Sequence, residues 1–218
     1  MEIEDIMQPL EIDKSIHYVD DVMSSQWLEQ VTNNLLSADF PWFYADKTSK
    51  IIEKHIESGG VKITGKCVDQ GQFIHTMFWD GDGITSSNWH MVSPLTSAIE
   101  KLHEDKLGKL IRCKLNLITP VEGYPSDAHH VPHVDWNPTN RSEKYWSCVF
   151  YLTPADGDTF IFNESIQESP NELTLRLRNT PKPNSGIMFN SDLYHASSQC
   201  TTPATPRVIC NMVWEAKK

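Results

Sequence analysis

WSCVFYLTPADGDTFIFN, residues 146–163, decides the fold. Two apolar runs, 146–153 and 158–163, are split by Asp156-Gly157. Each run has strand length, is rich in aromatic and β-branched side chains, and ends at a turn signal. The same unit recurs toward the C-terminus at 172–178, 186–190 and 207–214. Pro183-Asn184-Ser185-Gly186 and the Thr/Pro-rich stretch 201–206 lie between runs. Short strands in series, with no helical segment between them, predict a β-sandwich or jelly-roll barrel.

Toward the N-terminus the pattern changes. Residues 110–119 read as a strand closed by Pro120. Ser93-Pro94 reads as a helix start, with Leu95, Ile99, Leu102 and Leu107 as its apolar stripe up to Gly108. An earlier helix is expected over roughly 21–37, capped by Asp20 or Asp21 and ended at Asp39-Phe40-Pro41. Residues 41–80 suggest short strands, with Trp42, Phe43 and Tyr44 packed as core against that helix. The expected fold is mainly β (α+β). A double-stranded β-helix (jelly-roll) core covers 110–214, and an N-terminal helical and accessory-strand part covers 1–109, within a single domain 1–218.

With 218 residues and seven tryptophans, the chain can bury a sizeable core without staples. Its formal net charge of -10 disfavours duplex nucleic acid, which calls for a basic face. Lys101, Lys106, Lys109, Arg112 and Lys114 form the one local cationic run. It reads as a solvated helix face running into a strand. The five cysteines are odd in number and lack a Cys-x-x-Cys pair, so free thiols, mostly buried, are expected. No run is apolar enough to span a bilayer, and residues 1–14 lack an apolar signal region. The expected location is the cytoplasm, with no membrane partner.

His133-Val134-Asp135 places an imidazole and a carboxylate two residues apart, so on a strand both point one way. His195 follows after a long strand-rich interval, and Arg207 opens the next strand. Two histidines and a carboxylate suit Fe(II) and leave adjacent coordination positions open. Zinc sites also use this set. Arg207 helps to choose, because a buried guanidinium needs an anion and matches a carboxylate two-point. Asn211 shares its strand face.

Pro132-His133-Val134-Asp135-Trp136, the runs 148–153 and 157–162, Tyr194-His195-Ala196-Ser197 and Arg207 occur in the order found in 2-oxoglutarate/Fe(II)-dependent dioxygenases. Residues 110–214 most resemble the prolyl-4-hydroxylase-like branch of that superfamily. The resemblance implies iron ligation by His133, Asp135 and His195, and a salt bridge from Arg207 to the distal carboxylate of 2-oxoglutarate. It implies that Tyr151 gives its hydroxyl to the same carboxylate and that Asn211 faces the cosubstrate; Asn116 points inward as well. Trp136 and Tyr145 flank the metal loop as candidates for substrate contact.

The implied reaction consumes dioxygen and 2-oxoglutarate, releases succinate and carbon dioxide, and hydroxylates a C–H bond. Its substrate is a prolyl or other residue of a peptide or protein, or a small molecule. Ile209 stands where several relatives carry serine, and His129 and His130 add two loop histidines before the metal motif. The competing readings are a cupin-type metal enzyme that does not use 2-oxoglutarate and a non-catalytic jelly-roll binding module.

Overall fold

The computed structural model describes residues 15–49, 62–63, 65–135, 144–203 and 205–217. Its elements, in chain order, are β1 (Ile16–Asp20), α1 (Ser25–Leu35), β2 (Phe43–Ala45), β3 (Lys62–Ile63), β4 (Lys66–Cys67), β5 (Gln72–Trp79) and β6 (Gly83–Ile84). α2 (Trp89–Leu102), β7 (Leu107–Ile118), β8 (Ala128–His129), β9 (Tyr145–Tyr151), β10 (Thr159–Ser165) and a 3-10 turn (Ile166–Glu168) follow. The chain ends with β11 (Glu172–Leu173), β12 (Leu175–Asn179), β13 (Ser185–Asn190), β14 (Leu193–Ser197) and β15 (Arg207–Ala216).

An eight-stranded antiparallel sheet runs β1-β13-β9-β15-β7-β5-β2, with β6 paired to β5. A second sheet runs β12-β10-β14, and His133 extends it by bridging to His195. Two-residue alternation gives the large sheet two distinct faces. On one face Cys113, Leu115, Cys148, Phe150, Met188, Cys210, Met212 and Trp214 pack against Val31 and Leu35 of α1 and Val92, Leu95 and Ile99 of α2. On the other, Val149, Tyr151, Ile187, Phe189 and Ile209 meet Ile161 and Leu193 of the second sheet. The second core closes the jelly roll, and the alternating positions Arg112, Lys114, Asn116, Arg207 and Asn211 belong to that inner side. The fold is mainly β, and β1, β2, β5 and β6 of the N-terminal part complete the large sheet.

Several local expectations are corrected. α1 is capped by Ser24, whose hydroxyl accepts from the Trp27 N–H, and Asp21 instead takes a left-handed turn at φ 50. α2 begins at Trp89, so Pro94 lies inside it. Burial of Val92, together with Trp89 packing on Phe78 at 5.8 Å, extends the helix upstream. Trp42 does lean on α1, donating its indole N–H to the Leu35 carbonyl at 2.9 Å. Phe43 and Tyr44 do not join that core, being 61% and 68% exposed. The described cysteines are free thiols, and all but Cys67 are buried. Among the described residues no helix is long and apolar enough to cross a membrane.

Gly186 is fixed by close packing rather than by its backbone angles. A Cβ there would lie 2.6 Å from the Val149 carbonyl oxygen and 3.0 Å from the Phe150 Cα, both backbone atoms. Gly186→Ala is therefore expected to destabilise the protein by roughly 1–3 kcal/mol, as other overpacked cores do. A lowered urea midpoint at unchanged m-value would register it.

Candidate metal centre

His133 and His195 are held opposite one another by a reciprocal pair of backbone bonds. The His133 N–H donates to the His195 carbonyl, and the reverse, each at 2.9 Å. Directly opposed residues of an antiparallel pair share a face, so the two rings meet with centroids 4.5 Å apart. Asp135, two residues on from His133, brings its carboxylate to the same point. One ligand atom from each of the three residues lies within 4.8 Å of the others. This is the grouping expected from sequence.

The donor set fits a divalent ion. Nδ1 of His133 lies 3.2 Å from the Val131 carbonyl, and Nδ1 of His195 lies 3.1 Å from the Leu193 carbonyl. Each Nδ1 carries the proton that such a bond needs, leaving Nε2 as a lone-pair donor. Nε2 of His195 is buried and faces Asp135 Oδ2 at 3.5 Å without a hydrogen bond among the described residues, as a nitrogen turned toward a shared metal should be. Burial foremost, with His195 nearby, pulls the His133 imidazole down to about 3, so it is neutral and able to ligate. Burial alone would raise the Asp135 carboxyl. The Arg112 guanidinium and the two histidines outweigh that effect and hold it well below the usual carboxylate range.

Asp135 is tightly oriented. Arg112 donates to its Oδ1 at 2.5 Å and to its backbone carbonyl at 3.1 Å. Asn211 donates from Nδ2 to Oδ2 at 3.0 Å and accepts from Arg112 at 2.6 Å. Asn211 lines the cavity, and its amide is committed to the carboxylate ligand. Arg112 is a residue that the cationic-run reading placed on a solvated face. It points inward, because Ile111, Cys113, Leu115 and Leu117 take the opposite face of β7. That alternation was visible in the sequence.

Arg207 lies 2% exposed at the far end of the same cavity. Its Nε donates to the Gly157 carbonyl and its Nη2 to Thr159 Oγ1, both at 2.8 Å. The guanidinium carbon sits 5.7 Å from the Tyr151 ring centroid. Among the described residues no carboxylate pairs with it. Tyr151 stands behind the wall: its hydroxyl donates to Thr159 Oγ1 and accepts from Asn179, each at 2.9 Å. Thr159, missed from sequence, joins Tyr151 to Arg207. The rest of the wall is apolar at Ile118, Val149 and Ile209 and polar at Thr48, Gln72, Lys114 and Asn116. Tyr145 opens β9 on the cavity-facing side but does not line the cavity. Trp136 lies outside the described residues.

The two additional histidines do not join the triad. His129 is buried between Phe160 and Phe162, each 5.4 Å away. His130 bonds Ser197 Oγ through Nδ1 at 2.9 Å and Gln199 Oε1 through Nε2 at 3.1 Å. Burial, opposed by Asp69 and Gln199, draws the His130 imidazole down to about 4. The unfolded chain protonates it near its ordinary 6.5. Between those values the unfolded state binds a proton that the folded state refuses. Stability contributed by His130 should therefore be complete above about pH 6.5 and fall toward pH 4, by on the order of 3 kcal/mol at most. In metal-free protein, His130→Gln is expected to flatten the pH dependence of the urea midpoint over that window. An unchanged slope would count against it.

No family model matches the sequence, and no curated protein matches it. Solved structures match by shape. The α-ketoglutarate-dependent epimerase SnoN from nogalamycin biosynthesis aligns at TM-score 0.60 and 12% identity, covering 92% of this chain and 78% of its own. A 2OG-Fe(II) oxygenase family oxidoreductase from Burkholderia pseudomallei aligns at 0.55 and 12% identity, covering 93% and 86%. A Trichoplax adhaerens prolyl hydroxylase, solved with a hypoxia inducible factor peptide fragment, aligns at 0.53 and 13% identity, covering 94% and 84%. The chain has the fold of the 2-oxoglutarate/Fe(II) oxygenases, and its His-Asp-His group can hold a metal.

Proposed function

We propose that this protein is an Fe(II)- and 2-oxoglutarate-dependent dioxygenase that hydroxylates a C–H bond of a small-molecule or peptide substrate. The observation that carries the reading is Arg207: a buried cation, with no acid paired to it among the described residues, in the same cavity as the metal-competent triad. A guanidinium in that state leaves several kcal/mol of desolvation uncompensated until an anion arrives. A dicarboxylate that also chelates the metal meets both demands at once.

Bound together, Fe(II) and 2-oxoglutarate supply dioxygen activation coupled to oxidative decarboxylation, with succinate and carbon dioxide released. The protein's share is positional. His133, Asp135 and His195 would hold the ion, with Arg112 and Asn211 fixing the carboxylate ligand. Arg207 and Thr159 would hold the far carboxylate, with Tyr151 bracing Thr159 from behind. Ile118, Val149 and Ile209 would line the space between with apolar surface.

The fold does not fix the outcome of the oxidation, since an epimerase is among its neighbours. Hydroxylation of a peptide residue is supported by the resemblance of residues 110–214 and by the peptide-bound neighbour. A cupin-type enzyme without 2-oxoglutarate, or a binding module, leaves Arg207 without its anion.

Succinate release across fractionated peptide and metabolite pools tests the reading. At least one pool should raise it, and the rise should require both ferrous iron and 2-oxoglutarate. No iron-dependent succinate from any pool, including substrate-free turnover, would sink the reading.

A further inference from the structure

Arg207 is not the only cation in the cavity. Lys114 lines it beside His133 and Asp135 and bears on the charge of both. It stands on β7 between Arg112 and Asn116, opposite Asn211 of β15 and Thr76 of β5. Among the described residues no carboxylate lies within 4 Å of its ammonium, and no acceptor bonds it. Its nearest acid is already committed, Asp135 being bound by Arg112 on one oxygen and Asn211 on the other.

Position and charge say what the lysine is for. Arg207 pairs with Ile118, four residues along β7 from Lys114. The two cations therefore spring from points about 13 Å apart along the strand. Lys114 is level with Asn211 and hence with the metal ligands, away from the pocket that Arg207 closes. Asp135 is matched by Arg112, and a dicarboxylate cosubstrate matches a divalent ion. With the far carboxylate on Arg207 the loaded site still carries two positive charges in excess, and Lys114 is the cation to which no acid of the cavity is assigned.

The neighbouring Asn116 adds a second requirement. Its Nδ2 donates to Gln72 Oε1 at 2.7 Å, and Gln72 in turn donates to the Thr48 carbonyl at 3.2 Å. Its Oδ1 is buried without a hydrogen-bond partner among the described residues. The same face of β7 thus offers a free cation and, beside it, a fixed acceptor.

We propose that Lys114 anchors a carboxylate of the primary substrate, and that the substrate is an organic acid carrying an N–H or O–H next to that carboxylate, received by Asn116. The proposal rests on the Fe(II)/2-oxoglutarate reading above. The other carboxylate that could reach this end of the cavity is the cosubstrate's own, and the experiment separates the two.

Wild type and Lys114→Met, with Lys114→Gln as a second variant, are loaded with Fe(II) and 2-oxoglutarate. They are then challenged with 2-amino, 2-hydroxy and N-acetyl amino acids, each paired with its carboxamide. The readouts are succinate release and, without oxygen, the change that each compound makes in the absorbance of the iron complex. At least one acid should act on the wild type, with its carboxamide about tenfold weaker or more. Both variants should lose that preference while binding 2-oxoglutarate within about twofold of wild type. The proposal is overturned if the variants bind 2-oxoglutarate about tenfold more weakly, which would assign Lys114 to the cosubstrate. It is overturned equally if acids and carboxamides act alike, or if no acid of the panel acts. A wild type that forms no iron complex fails earlier, and that failure belongs to the iron reading itself.

Discussion

Arg207→Met is expected to weaken 2-oxoglutarate binding by about 30-fold or more, the effect of losing one partner of a buried charge pair. The ligand-free protein should be far less affected. Among the described residues no acid pairs with Arg207, and burial already lowers its proton affinity, so methionine exchanges two hydrogen bonds for relief from an unmatched charge. The two effects separate in a melting experiment. A ligand at about 100 times its dissociation constant stabilises a protein by about 2.7 kcal/mol. Metal-loaded wild type should show that rise with 2-oxoglutarate, and Arg207→Met at the same concentration should show about 0.9 kcal/mol or less. Equal rises would place the distal carboxylate elsewhere.

Arg112→Met should have the opposite signature, a large loss of stability before any ligand is added. Among the described residues its guanidinium is the only cation in hydrogen-bond contact with the Asp135 carboxylate, and the two side chains are 10% and 3% exposed. Removing one member of such a pair leaves a buried charge, which costs about 3–5 kcal/mol. The double substitution Arg112→Met/Asp135→Leu should recover much of that loss, because no charge is then stranded. Ferrous affinity should fall in the single variant by about 10- to 100-fold, as when the partner of a metal ligand is removed. A single variant as stable as wild type would mean that water or Asn211 already satisfies Asp135.

The sequence was most legible where chemistry and strand alternation agreed. His133 and Asp135 share a face because they are two apart, and Arg207, Ile209 and Asn211 share one for the same reason. Apolar runs separated by Asp156-Gly157 and Pro183-Asn184-Ser185-Gly186 fall in β9, β10 and β13. Alternation tells which residues share a face but not what lies across from them. The resemblance assigns Tyr151 and Asn211 to the cosubstrate; in the structure their polar atoms meet Thr159, Asn179, Asp135 and Arg112. Lys114 and Arg112 were hidden by the lysines before them. A run of cations crossing from α2 into β7 looks like one solvated stripe until the helix ends and the period changes from 3.6 to 2. Phe43 and Tyr44 failed for a different reason: among the described residues no strand lies beyond β2, a three-residue edge strand, to help bury them.

The most direct measurement is an anaerobic titration of the purified protein with Fe(II) and 2-oxoglutarate, followed by visible absorption and by iron content. One ferrous ion per chain and a charge-transfer band are expected for wild type, and neither for His133→Ala, Asp135→Ala or His195→Ala. A wild type without the band, or triad variants that bind iron and develop it as wild type does, would contradict the assignment of this cavity as an iron and 2-oxoglutarate site.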